Sequence, residues 1–146
     1  MTYDEILQED PFLLSKEEKH GLLTKELLRL TCHHQNQSDV YRNMLDAVGF
    51  SARAVSSIRD IPFLPVRLFK ELELKSVSNE NVFKVLTSSG TSGQRVSKIY
   101  LDRATAANQQ KTLVRIVKDF TGSARLPMLI IDCPSVVKDR AMFSAR

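Results

Sequence analysis

No apolar stretch of the chain approaches the roughly 20 residues that a helix needs to cross a bilayer, so no membrane span is expected. The opening residues Met1-Thr2-Tyr3-Asp4-Glu5 are acidic and lack the basic segment and apolar run of a secretory signal. Cysteine is scarce. Cys32 and Cys133 lie far apart and neither belongs to a Cys-x-x-Cys pair, so reduced thiols in a cytoplasmic protein are the expectation. No block of one charge is present either. The 21 basic and 17 acidic residues leave a net charge of +4, and the basic ones are scattered. That pattern describes a solvated surface rather than a nucleic-acid-binding stripe, and no nucleic-acid partner is expected. Internal repeats are absent, and the one biased segment is a short Ser/Thr/Gly loop.

The chain that remains is an ordinary globular one, with 146 residues, 42% of them hydrophobic and 26% charged. It is long enough for a sizeable core. Its first half reads as helices. Ser15-Lys16-Glu17-Glu18 has the spacing of a capping box, and Leu22, Leu23, Leu27, Leu28 and Leu30 follow at roughly helical intervals. A second helix should start after Ser38, carry Val40, Tyr41, Met44, Leu45 and Val48 on one face, and stop at Gly49. Both faces read as core packing. Pro62 and Pro65 forbid a continuous helix through Ile61-Pro62-Phe63-Leu64-Pro65, so residues 61–64 are predicted to be a buried, extended strip. Pro65 then suits the start of a short helix through Val66, Leu68 and Phe69.

The period changes near Asn81. Residues 82–86 and 96–101 read as β-strands around a polar loop. A helix capped near Asp102 should follow, with Leu113, Val114, Ile116, Val117 and Phe120 inward and Gly122 past its end. Met128-Leu129-Ile130-Ile131 reads as a third strand ending at Asp132. The fold class expected is α/β: a helical region over 1–80, then the start of an α/β domain over 81–146.

The loop Thr87-Ser88-Ser89-Gly90-Thr91-Ser92-Gly93-Gln94 carries the chemistry. Glycine lets the backbone approach a ligand closely, and exposed amides in such a turn form an anion-binding concavity. The hydroxyls of Ser88, Ser89, Thr91 and Ser92 add donors for phosphate oxygens. A Walker A loop is excluded, because Gly90 and Gly93 are three apart and Gln94 stands where the lysine should be. The Gly-x-Gly-x-x-Gly dinucleotide fingerprint is absent as well. On composition alone a plain polar hairpin turn explains these residues equally well.

This loop resembles the phosphate loop of the adenylate-forming superfamily, in which a Ser-Gly-Thr-Thr/Ser-Gly segment lies between two strands and binds the phosphates of ATP. A second segment, Ile61-Pro62-Phe63-Leu64-Pro65-Val66-Arg67-Leu68-Phe69-Lys70, resembles the stretch that precedes the loop in LuxE-type acyl-protein synthetases. The ending Phe143-Ser144-Ala145-Arg146 is similar to the start of a further segment of that family. The first 35 or so residues add little to the match.

The resemblance implies ATP and Mg2+, a carboxylic acid of fatty type activated as its acyl adenylate, and transfer to a protein thiol, with coenzyme A the alternative acceptor. It assigns ATP-phosphate contacts to Ser88, Ser89, Gly90, Thr91, Ser92, Gly93 and Gln94. The family's lysine after the last glycine is displaced here, and Lys98 or Arg95 is its candidate replacement. The adenine motif, ribose-binding aspartate, lid lysine and acceptor cysteine would follow Arg146. The 146 residues are therefore expected to be an amino-terminal fragment, inactive alone and prone to associate through the uncovered edge of residues 128–131.

Other residues are discounted. Cys32-His33-His34 has no second Cys/His group near in sequence, so no metal site is assigned and Cys32 reads as a small buried residue. Cys133 and Asp132 sit at a strand end where ligands of open α/β sheets collect, but the acyl acceptor implied by the resemblance would come far later than Cys133, and Asp132 reads as the cap of the following turn. His20 reads as exposed. Two other functions stay open: a non-catalytic interaction or regulatory domain built on the same fold, and an unrelated phosphate-binding protein with a similar loop.

Overall fold

The computed structural model describes residues 3–8, 14–88, 95–127, 129, 131 and 142–145. The chain divides into two compact units, Met1–Ser76 and Val77–Arg146.

The first unit is helical. Helix α1 spans Tyr3–Gln8, α2 Lys16–Gln37 and α3 Asp39–Ala47. The expected capping box starts α2. Ser15 Oγ accepts from the Glu18 amide at 3.2 Å, and Glu18 Oε2 accepts from the Ser15 amide at 2.8 Å. One buried residue, Ser38, separates α2 from α3 and serves both. Its amide donates to His34 O at 2.9 Å, and its hydroxyl accepts from the Tyr41 amide at 3.4 Å. The Arg42 guanidinium reaches back to Gln35 O and Asn36 O, at 3.1 and 3.2 Å, satisfying two carbonyls that the end of α2 leaves without helical partners. Helix α3 closes as a Schellman motif: Phe50 N–H donates to Leu45 O, Gly49 N–H donates to Asp46 O, both at 3.0 Å, and Gly49 takes φ +65°.

The apolar faces are less buried than their spacing predicts. Leu45 is wholly buried and Tyr41 and Met44 are half-buried, whereas Val40 and Val48 are exposed. Val40 sits about 100° around the helix from Tyr41, and Val48 lies beyond the last helical residue. On α2, Leu22, Leu28 and Leu30 are half-buried, but Leu23 and Leu27 face outward.

The strip over 61–64 is a correction. It is extended and half-buried at Ile61, Pro62 and Leu64, but Phe63 is 91% exposed and so is no core residue. The short helix expected from Pro65 begins later: Leu68 N–H donates to Pro65 O at 3.0 Å, Val66 and Arg67 form a turn, and helix α4 spans Leu68–Glu71.

The second unit combines a sheet with one helix. Strand β1, Lys84–Ser88, and strand β2, Lys98–Leu101, pair antiparallel with Lys84 opposite Leu101 and Thr87 opposite Lys98. Both strands begin about two residues later than the alternation suggested. Helix α5, Arg103–Thr121, starts at Asp102, whose carboxylate accepts from the Thr105 amide at 2.6 Å, and stops at Gly122 with φ +76°. Its caps match the expectation, but its packing does not. Leu113, Val114, Ile116, Val117 and Phe120 are all exposed, Phe120 by 79%, because no described element covers that side of α5.

The third strand is also a correction. Met128 and Ile130 lie outside the described residues, while Leu129 and Ile131 belong to no strand and are 87% and 90% exposed. The sheet is completed instead by β3, Met142–Ala145, parallel to β1 with Val85 opposite Met142 and Ser88 opposite Ala145. The order is β2-β1-β3. Helices dominate and the sheet is small and mixed, which is compatible with an α/β class.

Candidate functional site

Of the residues assigned to phosphate, Ser88 and Lys98 are described, while Ser89, Gly90, Thr91, Ser92, Gly93 and Gln94 lie outside the described residues. The two strands that carry this loop are therefore what defines its ends. Ser88, the last residue of β1, donates its amide to Ser97 O at 3.1 Å. Ser97 returns its own amide to the Ser88 hydroxyl, at 3.0 Å, and is buried. The neck of the loop is thus held by one backbone bond and one side-chain bond.

One rung below, Thr87 and Lys98 face each other across the antiparallel pair, so their side chains leave the same side of the sheet. The Lys98 and Arg95 side chains are exposed and have no hydrogen bond or ion pair among the described residues. No carboxylate occurs anywhere from Thr87 to Leu101. Two uncommitted cations with no carboxylate in the same segment suit a polyanion. A magnesium ion would need oxygen ligands, which here would come from the phosphates rather than from a protein carboxylate in this segment. Strand β3 ends at Ala145 beside Ser88, so two parallel strands present their carboxyl ends at the level of the loop, where ligands of open α/β sheets bind. At the other end of the hairpin, the Arg103 guanidinium lies 4.5 Å from the centroid of the Phe83 ring, tying the start of α5 to the approach to β1.

The remaining candidates do not gather into a second centre. Asp132 and Cys133 lie outside the described residues, and His20 is exposed, as expected. Cys32 is a free thiol but only half-buried; its neighbour Thr31 takes the buried position on α2. No group of three or more metal-ligating side chains occurs among the described residues.

His34 does have a partner that sequence reading missed. Its Nδ1 lies 2.7 Å from Ser76 Oγ, and its ring packs edge-on to His33 and Tyr41. Burial, then the nearby His33 and Arg29, holds the His34 pKa below the usual histidine value. The two partners are 42 residues apart in sequence, so no local signal announces the pair. In the first unit an open depression of about 360 Å³ is lined by residues that include Val48, Phe50, Arg59, Ile61 and Phe63. Asp60 at its edge is engaged by Ser56 and Ser57, whose bonds keep its carboxyl below the ordinary range.

No described helix is long and apolar enough to cross a membrane. The chain is 29% identical over 100 residues to a long-chain-fatty-acid–luciferin-component ligase of Photorhabdus luminescens, an alignment covering 68% of this chain and 84% of that protein. No solved structure matches it. The family described as acyl-protein synthetase, LuxE, matches residues 2–141, nearly the whole chain, and this protein belongs to that family.

Proposed function

We propose that this chain supplies the ATP-phosphate loop of a ligase that activates a carboxylic acid as its acyl adenylate and passes the acyl group to a thiol. The observation that carries the reading is the Ser/Thr/Gly loop on a clasped antiparallel hairpin, in a chain that belongs to the acyl-protein synthetases. The name of the Photorhabdus relative makes a long-chain fatty acid the preferred substrate.

The chemistry asks for what the hairpin offers. A carboxylate oxygen attacks the α-phosphorus of ATP, the bond to the bridging oxygen breaks, and pyrophosphate leaves. A thiolate then attacks the acyl carbon and AMP departs. Charge builds on phosphate oxygens in the first step, so fixed donors and cations beside them lower the barrier more than flexible solvent does. In this reading Ser89, Thr91 and Ser92 donate hydroxyls, Gly90 and Gly93 let the amides approach, and Lys98 and Arg95 supply the charge that the displaced lysine gives elsewhere in the family. Magnesium would travel with the phosphates.

Carboxylate-dependent ATP–pyrophosphate exchange by the full polypeptide tests it. Gly93→Val, which puts a β-branched side chain where the backbone meets phosphate, should slow exchange at least tenfold, or about 1.4 kcal/mol of transition-state stabilisation. Thr91→Ala should act in the same direction. Wild-type exchange in both variants would remove the loop from the phosphate site.

A further inference from the structure

The Ser88 hydroxyl is committed within the protein, and its position in the ladder is unusual. Lys84 opposite Leu101 and Thr87 opposite Lys98 set the register, so Ser88 and Ser97 form the next rung. In an antiparallel sheet two residues of a hydrogen-bonded rung exchange both amide-to-carbonyl bonds. Here half of the exchange is made: the Ser88 amide donates to Ser97 O at 3.1 Å. The other half is replaced, because the Ser97 amide donates to Ser88 Oγ at 3.0 Å. A serine side chain that competes with the backbone for a ladder partner is how a strand is brought to an end. Ser97 is only 8% exposed, so water is a poor substitute partner for its amide.

We infer that Ser88 is a positioning residue whose hydroxyl clasps the neck of the loop to the buried Ser97 amide, rather than a direct ligand of the phosphates. The clasp ends the β1–β2 ladder at Ser88 and so fixes the described ends of the loop, Ser88 and Ser97, against each other. The role deepens the phosphate-loop reading and rests on it for its effect on ATP. The clasp itself is a property of the unliganded chain.

Two variants separate the possibilities. Ser88→Ala removes the acceptor; Ser88→Thr keeps a hydroxyl in a residue at home in strands. Amide hydrogen exchange of Ser97, without nucleotide, should speed up at least tenfold in Ser88→Ala and stay within about threefold of wild type in Ser88→Thr. In ATP–pyrophosphate exchange by the full polypeptide, Ser88→Ala should raise the KM for ATP at least tenfold while kcat at saturating ATP falls less, and Ser88→Thr should restore both. An unchanged Ser97 exchange rate in Ser88→Ala overturns the clasp, and a deprotected Ser97 with an unchanged KM overturns the positioning role. A raised KM in Ser88→Ala with Ser97 still protected also overturns it and makes Ser88 a direct phosphate contact. If Gly93→Val leaves pyrophosphate exchange untouched, the phosphate-loop reading fails, and the Ser97 measurement still decides whether the clasp exists.

Discussion

The two units of this chain are ordered by different means. In Met1–Ser76, order comes mainly from bonds between a side chain and nearby backbone. Ser15 and Glu18 start α2, Ser38 joins α2 to α3, Arg42 covers the end of α2, and Asp60 gathers Ser56 and Ser57. Among its described residues the wholly buried apolar side chain is Leu45. In Val77–Arg146, order comes from pairing across distance: β1 with β2 and with β3, and Ser97 with Ser88. There Leu101 is buried, while the apolar side of α5 faces outward. The contrast teaches that capping defines where an element starts and stops, whereas burial depends on what else the tertiary structure brings against it.

The strongest test strikes Leu45, the one buried apolar side chain among the described residues of the first unit. Leu45→Ala should lose about 2–5 kcal/mol, as large-to-small changes in filled sites do. Hydrogen exchange in α2 and α3 reports it. An equal loss of protection across the Lys84–Leu101 hairpin would break the distinction between the units.

A smaller effect is expected at the helix junction. Ser38→Ala removes the cap of α3, and should cost about 0.5–2 kcal/mol by denaturant titration. Ser38→Asp, which keeps an accepting oxygen, should recover most of it. If both variants match wild type, capping does not organise this unit.

Mild acid should act on the same unit through His34. Its folded-state pKa is lowered by burial, so the folded protein binds fewer protons there than the unfolded chain does. Stability therefore falls as pH drops below the unfolded histidine value, about 6.5, towards the lower folded one, and is fully present above that window. His34→Asn should flatten this slope in thermal melts between about pH 5 and 7. A slope that persists in the variant assigns the proton to another group.

The smallest effect belongs to Phe63. Despite its apolar surroundings in sequence it stands 91% exposed, so Phe63→Ser should change the stability of the chain by less than about 0.5 kcal/mol. A loss near that of Leu45→Ala would mean that Phe63 packs in solution.

Local chemistry was legible in the sequence. Ser15 with Glu18, Ser38, Asp102, and the glycines at 49 and 122 bound their helices as their spacing predicts, because a cap bonds to residues two to five positions away. The polar loop between two strands was legible for the same reason: turn residues and alternation are short-range signals. Pairing and burial were not. Met142–Ala145, not the expected strand over 128–131, is the third strand described, since an apolar run states that it could be a strand but not whether or where it pairs. The spacing of Leu113 and Phe120 announced a helix with an apolar side, but only the fold decides whether another element covers it. His34 found Ser76, and the Ser88 hydroxyl found the Ser97 amide, through contacts between residues that chain geometry brings together and composition does not foretell. Sequence by itself determined where the capped helices α2, α3 and α5 begin and end, and which donor groups the loop carries. Tertiary structure decided which side chains are buried, which strand closes the sheet, and which hydroxyl holds the loop's neck, because each of these is a competition among distant partners settled only when the chain is folded.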